Sequence, residues 1–142
     1  MADPLSFAAS IIAVATIAGQ ITATLSKLRA VYELPGRLHA INNEVADLEV
    51  LLREVGSLST ERQTRLAIGQ QNALPDIVKR ANIKLLELRD LVQRLIRSCV
   101  GSGKFVTRAK AWWIEKPRLL TLQEELHTIK ADLNIVLGAI HS

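Results

Sequence analysis

The chain has 142 residues, enough for one domain, and its composition favours helix, because Ala, Leu, Ile, Glu, Lys, Arg and Gln dominate and aromatic residues make up only 4%. The formal net charge is +4, but residues 79–118 hold eleven basic and only three acidic side chains, so the positive charge is confined to one stretch. The single cysteine, Cys99, excludes an internal disulfide, and no cysteine or histidine spacing is typical of a zinc site.

The first predicted element is a helix over residues about 4–32. The opening Met1-Ala2-Asp3-Pro4 lacks the basic segment of a secretory signal, so we expect a cytoplasmic protein. Apolar residues follow alternating spacings of four and three, which places them on one face of a helix. This stripe comprises Phe7, Ile11, Val14, Ala18, Ile21, Leu25, Leu28 and Tyr32.

This first segment carries no charged side chain between Asp3 and Lys27. An uncharged helix of that length spans roughly 34 Å, about the hydrocarbon thickness of a bilayer. Its alanines, Gly19 and several Ser and Thr residues are of the kind that membrane helices use where they pack together. Two interpretations stay open: a helix buried at the centre of a soluble bundle, and a helix that both packs in a bundle and enters lipid.

Three further helices are predicted, over residues about 37–56, 75–99 and 104–140. Helices of this length with short links favour an all-α, antiparallel four-helix bundle that occupies residues 1–142 as a single domain. Each helix carries an apolar stripe with helical spacing. The stripes are Leu38, Ile41, Val45, Leu48, Leu52 and Val55; then Val78, Ala81, Leu85, Leu88, Val92, Leu95 and Cys99; then Leu119, Leu122, Leu126, Ile129, Leu133, Val136 and Ile140.

Two segments modify this simple bundle. Between the second and third helices, an extra short helix is predicted, capped by Ser59-Thr60-Glu61, running through Leu66 and ended by Gly69; Pro75 is predicted in the first turn of the next helix. Pro117 interrupts the last apolar segment, so we expect a proline-kinked last helix.

The basic stretch is the second candidate for a binding surface. Basic residues near a membrane surface each gain on the order of 1 kcal/mol from an anionic leaflet. An ordinary solvated helix face is the alternative, and nucleic acid is not expected as a partner because the chain has no motif that reads it. The residues predicted to bind anionic lipid are Lys79, Arg80, Lys84, Lys104, Arg108, Lys110 and Lys116.

Trp112 and Trp113 are the third candidate, since tryptophan is favoured at membrane interfaces. Adjacent residues on a helix point about 100° apart, so at least one of the pair is expected in the core, and we assign that place to Trp112.

No catalytic site, cofactor or metal site is predicted. Gly101-Ser102-Gly103-Lys104 lacks both the earlier glycine and the following Ser or Thr of a phosphate-binding loop. The three histidines, His39, His127 and His141, are far apart in the sequence with no carboxylate or cysteine at ligand spacing. No nucleophile, base and orienting acid can be assembled, so we do not expect an enzyme.

The opening Met1-Ala2-Asp3-Pro4-Leu5-Ser6-Phe7-Ala8-Ala9-Ser10-Ile11-Ile12-Ala13-Val14 resembles that of fungal HeLo-like domains. The later pattern from Trp112 through Glu115-Lys116, Leu119, Leu122, Leu126, Lys130 and Leu133-Asn134 to Leu137 resembles the last helix of that family. Such domains are the N-terminal modules of fungal STAND-type, NLR-like immune receptors and of amyloid-signalled cell-death effectors. They are related to the four-helix bundle that executes necroptosis in animals.

The resemblance implies a bundle that oligomerises on activation and permeabilises membranes through its N-terminal helix. The residues that it assigns to membrane insertion are Leu5, Phe7, Ile11, Ile12, Val14, Ile17 and Ile21. We therefore predict a cell-death-inducing, pore-forming module of fungal innate immunity. It would be recruited from the cytoplasm to the plasma membrane by anionic phospholipid, after an upstream receptor or amyloid-type partner clusters it. The alternative is a homotypic signalling domain of such a receptor that never enters lipid.

Overall fold

The structure, a computed structural model, contains four α-helices and no strand within the residues that it describes. The helices are α1 (Pro4–Val31), α2 (Gly36–Glu61), α3 (Ile68–Ser102) and α4 (Phe105–His141). Backbone is described for residues 4–31, 36–61, 68–102 and 105–141, and side chains for residues 7–28, 36–58, 73–97 and 115–139. The predicted all-helical fold with four long helices is confirmed for these residues.

The helix ends differ from the predicted ones between α2 and α3. Ser59, predicted to begin the extra short helix, belongs to α2, and Gly69, predicted to end it, belongs to α3. The residues between the two helices, 62–67, lie outside the described residues. Pro75 is the eighth residue of α3 instead of lying in its first turn. Leu74 and Ile77, buried on either side of this proline, anchor that part of α3 in the core.

Pro117 lies inside α4, where it removes one backbone hydrogen bond. Its own carbonyl accepts a hydrogen bond of 3.1 Å from the Thr121 hydroxyl. The kink that the sequence predicts at this proline stays a prediction.

The core consists of the predicted stripes. Every stripe residue with a described side chain is buried, except that Phe7 and Leu28 are only partly buried against the core. Tyr32 lies outside the described residues, and the side chains of Cys99 and Ile140 are not described. The stripes missed further buried residues on α1 and α3, namely Ala8, Ala15, Leu74, Ile77 and Leu91.

Each helix packs against two others. α1 lies against α2 and α3, and α4 lies against the same two helices. α1 and α4 therefore occupy opposite corners of the bundle, as do α2 and α3.

Two glycines bring α1 and α2 close together. A Cβ atom on Gly56 of α2 would lie 3.0 Å from Ile12 Cδ1 and 3.2 Å from Ile11 Cγ2. A Cβ atom on Gly19 of α1 would lie 2.9 Å from the Glu49 carboxylate of α2. A side chain at Gly56 would press against Ile11 and Ile12, whereas at Gly19 the flexible Glu49 carboxylate could move aside, so Gly56 is the stricter constraint on the contact between α1 and α2.

Candidate functional site

The first candidate surface is α1. Its segment Phe7–Leu28, 22 residues long, is apolar enough to cross a membrane, and 39% of it is buried in the bundle. Core helices of soluble proteins satisfy the same criterion, so length and composition alone do not separate the two interpretations. The remaining surface of this segment faces away from the core without a single charge before Lys27.

The polar groups on α1 are largely satisfied within the helix. The Thr16 hydroxyl donates a 2.9 Å hydrogen bond to the Ile12 carbonyl, and the Thr24 hydroxyl a 2.8 Å bond to the Gln20 carbonyl. Thr22 donates in the same way to the Gly19 carbonyl at 3.0 Å. Because these donors need no water, they remain satisfied in an apolar medium.

The residues predicted to insert into lipid lie mainly towards the core. Ile11, Val14 and Ile21 are buried, and Phe7 and Ile17 are partly buried against the core. Ile12 is 37% exposed, and the side chain of Leu5 lies outside those described. In this conformation α1 therefore offers lipid its uncharged outer residues and Ile12, and its other large apolar residues become fully available only if the helix leaves the bundle.

The second candidate surface, the basic stretch, is partly neutralised by ion pairs between α3 and α4. Arg80 Nη2 lies 2.8 Å from Asp132 Oδ2, and Lys84 Nζ lies 2.5 Å from Glu125 Oε2. Further along the same seam, a second group of pairs joins Arg118 to Glu87, and Arg94 to Glu115 at 3.4 Å. We call this row of pairs the α3–α4 ladder.

Arg80 also pairs with Asp76, one turn earlier on α3, at 3.1 Å. Its hydrogen bond to Asp132 raises the pKa of the guanidinium, against the smaller opposite effect of burial. Arg80 is therefore committed to a structural contact in this conformation.

The other residues predicted to bind anionic lipid are distributed as follows. Lys79 is exposed on α3, and Lys116 is partly buried near the start of the described part of α4. Lys104 lies outside the described residues, and the side chains of Arg108 and Lys110 are not described, nor are those of Trp112 and Trp113. Within the described residues, the structure thus brings Arg80 and Lys84 together in the ladder and leaves Lys79 at the surface.

A third cluster, at the seam between α2 and α4, was not predicted. Glu44 on α2, whose side chain is only 14% exposed, accepts a 2.8 Å hydrogen bond from Lys130 Nζ and lies 2.6 Å from His127 Nδ1. Lys130 also lies 3.4 Å from Asp47. The partners are 83 or more residues apart in the sequence, so no local spacing could have indicated them.

Burial favours the protonated form of Glu44, but the hydrogen bonds from Lys130 and His127 outweigh it and hold the pKa of this carboxyl below its ordinary value. The hydrogen bond to Glu44 in turn raises the pKa of Lys130, against the effect of burial. The cluster borders a groove of about 450 Å³ that is also lined by Arg37 and Gln123, which are joined by a 3.2 Å hydrogen bond. The acidic side chains of α2 and the basic side chains of α4 thus pair with one another, so the cluster is a structural contact between these two helices.

Within the described residues, no three His, Cys, Asp or Glu side chains are grouped so that they could hold a metal ion. No protein-family model, curated protein or solved structure matches the chain. The resemblance to HeLo-like domains therefore remains an interpretation of the sequence.

Proposed function

We propose that this chain is a membrane-targeting helical bundle whose first helix leaves the bundle and enters lipid once several copies cluster. The observation that carries the proposal is the character of α1, which has no charged side chain from Pro4 to Ser26. No other helix of the molecule has an uncharged run that passes the length and composition test for a membrane span within the described residues.

The backbone and the side chains of α1 both suit a transfer into lipid. A helix satisfies its own backbone hydrogen bonds, so the backbone pays no penalty in hydrocarbon. The hydroxyls of Thr16, Thr22 and Thr24 already donate to carbonyls of α1 itself. Among the described polar side chains of this run, those of Gln20 and Ser26 make no such hydrogen bond.

Leaving the bundle exposes the buried side of α1, and lipid offers that side an apolar environment. Burial of apolar surface stabilises by roughly 25 cal/mol per Å², so residues such as Ile11 and Ile21 hold α1 in place when no membrane is near. A bilayer replaces the lost contacts, whereas water does not. The proposal therefore requires both a membrane and a trigger that loosens the bundle.

We propose that the basic stretch finds the anionic leaflet before α1 inserts. The α3–α4 ladder occupies Arg80 and Lys84, so the attraction would come mainly from Lys79, Lys104, Arg108 and Lys110. At about 1 kcal/mol for each residue near the surface, three or four of them give a useful but reversible attraction. Two weak signals, a charged surface and an apolar helix, together give stable anchoring.

The resemblance to HeLo-like domains supplies the rest of the proposal. It indicates homo-oligomerisation on activation by an upstream receptor or amyloid-type partner, movement from the cytoplasm to the plasma membrane, and pore formation that kills a fungal cell.

The finer arrangement of the bundle belongs to the proposal too. α3 and α4 run antiparallel, which is supported by the pairing of Arg80 with Asp132 and of Arg94 with Glu115, in opposite orders along the two helices. α2 and α4 run in the same direction, which is supported by the pairs Arg37–Gln123 and Asp47–Lys130. The bundle is then two antiparallel hairpins, α1–α2 and α3–α4, packed side by side.

A second candidate function, homotypic signalling without membrane entry, is favoured by two exposed apolar residues. Val50 on α2 is 64% exposed and Ile135 on α4 is 70% exposed. Exposed apolar side chains of this size are suited to contacts between copies, although single ones are normal on protein surfaces.

Dye release from liposomes tests the first proposal, with a matched pair of variants. Thr16→Asp places a charge in the uncharged run at an exposed position, and Thr121→Asp makes the same change at an exposed position of α4. Both threonines donate to the carbonyl four residues earlier, at 2.9 Å and 3.1 Å, so the local cost is matched. Thr and Asp have similar helix propensities, so both variants should fold.

We expect the protein, clustered through a fused oligomerisation tag, to release dye from anionic liposomes and less from zwitterionic ones. Thr16→Asp should abolish release, because an aspartate at the centre of a membrane helix costs about 2.5–3.5 kcal/mol or more. Thr121→Asp should release dye as the unmodified chain does. Silence of the clustered protein on anionic liposomes would favour the signalling function. Equal release by both variants would instead mean that α1 is not the helix that enters lipid.

A further inference from the structure

A small cleft of about 240 Å³ lies between α1 and α3. Two of the residues that line it, Ile21 and Val92, are buried and apolar, and the others are polar. The lining comprises Gln20, Ile21 and Thr24 from α1 and Arg89, Val92 and Gln93 from α3.

Arg89 is the unusual residue of this cleft. Its Nε atom is buried and has no hydrogen-bond partner. The neighbouring arginines of α3 are bonded: Arg80 to Asp132, Arg94 to Glu115, and Arg97 to the Gln93 carbonyl at 3.4 Å. A buried, unpaired polar atom on a charged group is unfavourable, so a partner that supplies negative charge would relieve it.

Among the described side chains, no acidic residue lines the cleft. A guanidinium presents a planar fork of donors that matches the oxygens of a phosphate group. The amides of Gln20 and Gln93 can donate to the same oxygens from either wall. The volume lies below the range of about 300–1,000 Å³ typical of pockets for drug-sized ligands, so it suits a small anionic group.

We infer that this cleft binds a phosphate group, with Arg89 as its principal contact. The group is a free phosphate or phosphate monoester in solution, or the headgroup of an anionic lipid. Because one wall belongs to α1 and the other to α3, bound phosphate holds the two helices together and stabilises the packed state of α1. The site itself is independent of the proposed membrane activity, although its effect on the release of α1 rests on that proposal.

Thermal unfolding in inorganic phosphate tests the site, with sodium chloride at equal ionic strength as the reference. Arg89→Gln removes the principal contact, and Arg53→Gln makes the same change at an exposed position of α2, away from the residues that line the cleft. At phosphate ten times above its Kd, the Tm of the unmodified chain and of Arg53→Gln should rise by roughly 3–6 °C, and that of Arg89→Gln should not. Should Arg89→Gln fold poorly, Gln20→Leu changes the opposite wall at an exposed residue and should reduce the rise.

A second arm separates the two sources of phosphate. Sedimentation with phosphatidylcholine vesicles, with and without phosphatidic acid, measures binding of the same variants to a headgroup. If only the binding to phosphatidic acid vesicles depends on Arg89, the ligand is a lipid headgroup. If only the Tm rise in inorganic phosphate depends on Arg89, the ligand is a free phosphate. If Arg89→Gln and Arg53→Gln behave alike in both arms, the site is refuted. A Tm rise in phosphate that depends on Arg89, without any dye release from liposomes, would support the phosphate site and contradict the proposed membrane function.

Discussion

α1 and α4, at opposite corners of the bundle, are held by different forces. α4 is tied on one side to α3 by the ladder and on the other to α2 by the Glu44 cluster. α1 contributes no ion pair among the described side chains and is held by apolar burial and by close contact at Gly19 and Gly56. Ion pairs fix register, whereas apolar contacts are non-directional and have an equivalent in lipid. Under the proposed function, α1 is therefore the helix that exchanges the bundle for lipid.

The largest expected loss of stability tests whether apolar burial holds α1 in the bundle. Ile11→Ala, at a fully buried position, should reduce the free energy of unfolding by about 2–5 kcal/mol, because it removes buried methyl groups and leaves a cavity. Ile12→Ala changes the adjacent, 37% exposed residue and should cost much less. Urea denaturation of both variants measures the difference, and equal losses would contradict the assignment of the inner face.

The next largest loss of stability tests whether ion pairs hold α4 in the bundle. Glu44→Gln should destabilise the fold by about 1.5–3 kcal/mol at neutral pH, since it weakens hydrogen bonds to two basic partners. The pKa of Glu44 is lowered in the folded state, so its stabilising effect is present above the unfolded value of 4.5 and is lost as pH falls through the folded value.

Denaturation of Glu44→Gln and the unmodified chain across pH 2–7 measures this loss. The two stability curves should converge at the acid end. A gap that stays constant with pH would mean that the ionised carboxylate of Glu44 is not what holds α4.

A loss of stability similar to that of Glu44→Gln is expected when the close contact between α1 and α2 is disturbed. Gly56→Leu places a side chain against Ile11 and Ile12 and should cost about 1–3 kcal/mol through overpacking. Gly138→Leu is the matched control, since nothing lies within 4 Å of a Cβ there, and it should stabilise α4 slightly through better helix propensity. Hydrogen exchange of α1 amides should rise in Gly56→Leu alone, and unchanged exchange would place the close contact elsewhere.

The smallest effect concerns the ladder. Lys84→Gln breaks its contact with Glu125, but both side chains are about a third exposed, at 26% and 31%. A loss of about 0.2–1 kcal/mol is expected, smaller still at high salt. Thermal unfolding at two salt concentrations measures it, and a loss above 2 kcal/mol would show that α4 depends on this pair as strongly as α1 depends on burial.

The four long helices and most of the core follow from the sequence, because apolar residues such as Leu48, Leu85 and Leu126 recur at the helical period. The ladder and the Glu44 cluster could not be predicted in this way. Arg80 and Asp132 are 52 residues apart, and Glu44 and Lys130 are 86 apart, so their contacts depend on which helices become neighbours. A basic stretch in the sequence therefore overstates the charge free to meet a membrane.

The corner position of α1 has a consequence for how copies assemble. Removing a corner helix leaves α2, α4 and α3 in contact through seams that contain ion pairs, together with a vacant apolar groove shaped for α1. The α1 helix of a second copy fits that groove as well as the original did. Domain swapping thus offers this bundle a route to a dimer, or to an open chain of copies, without any new interface.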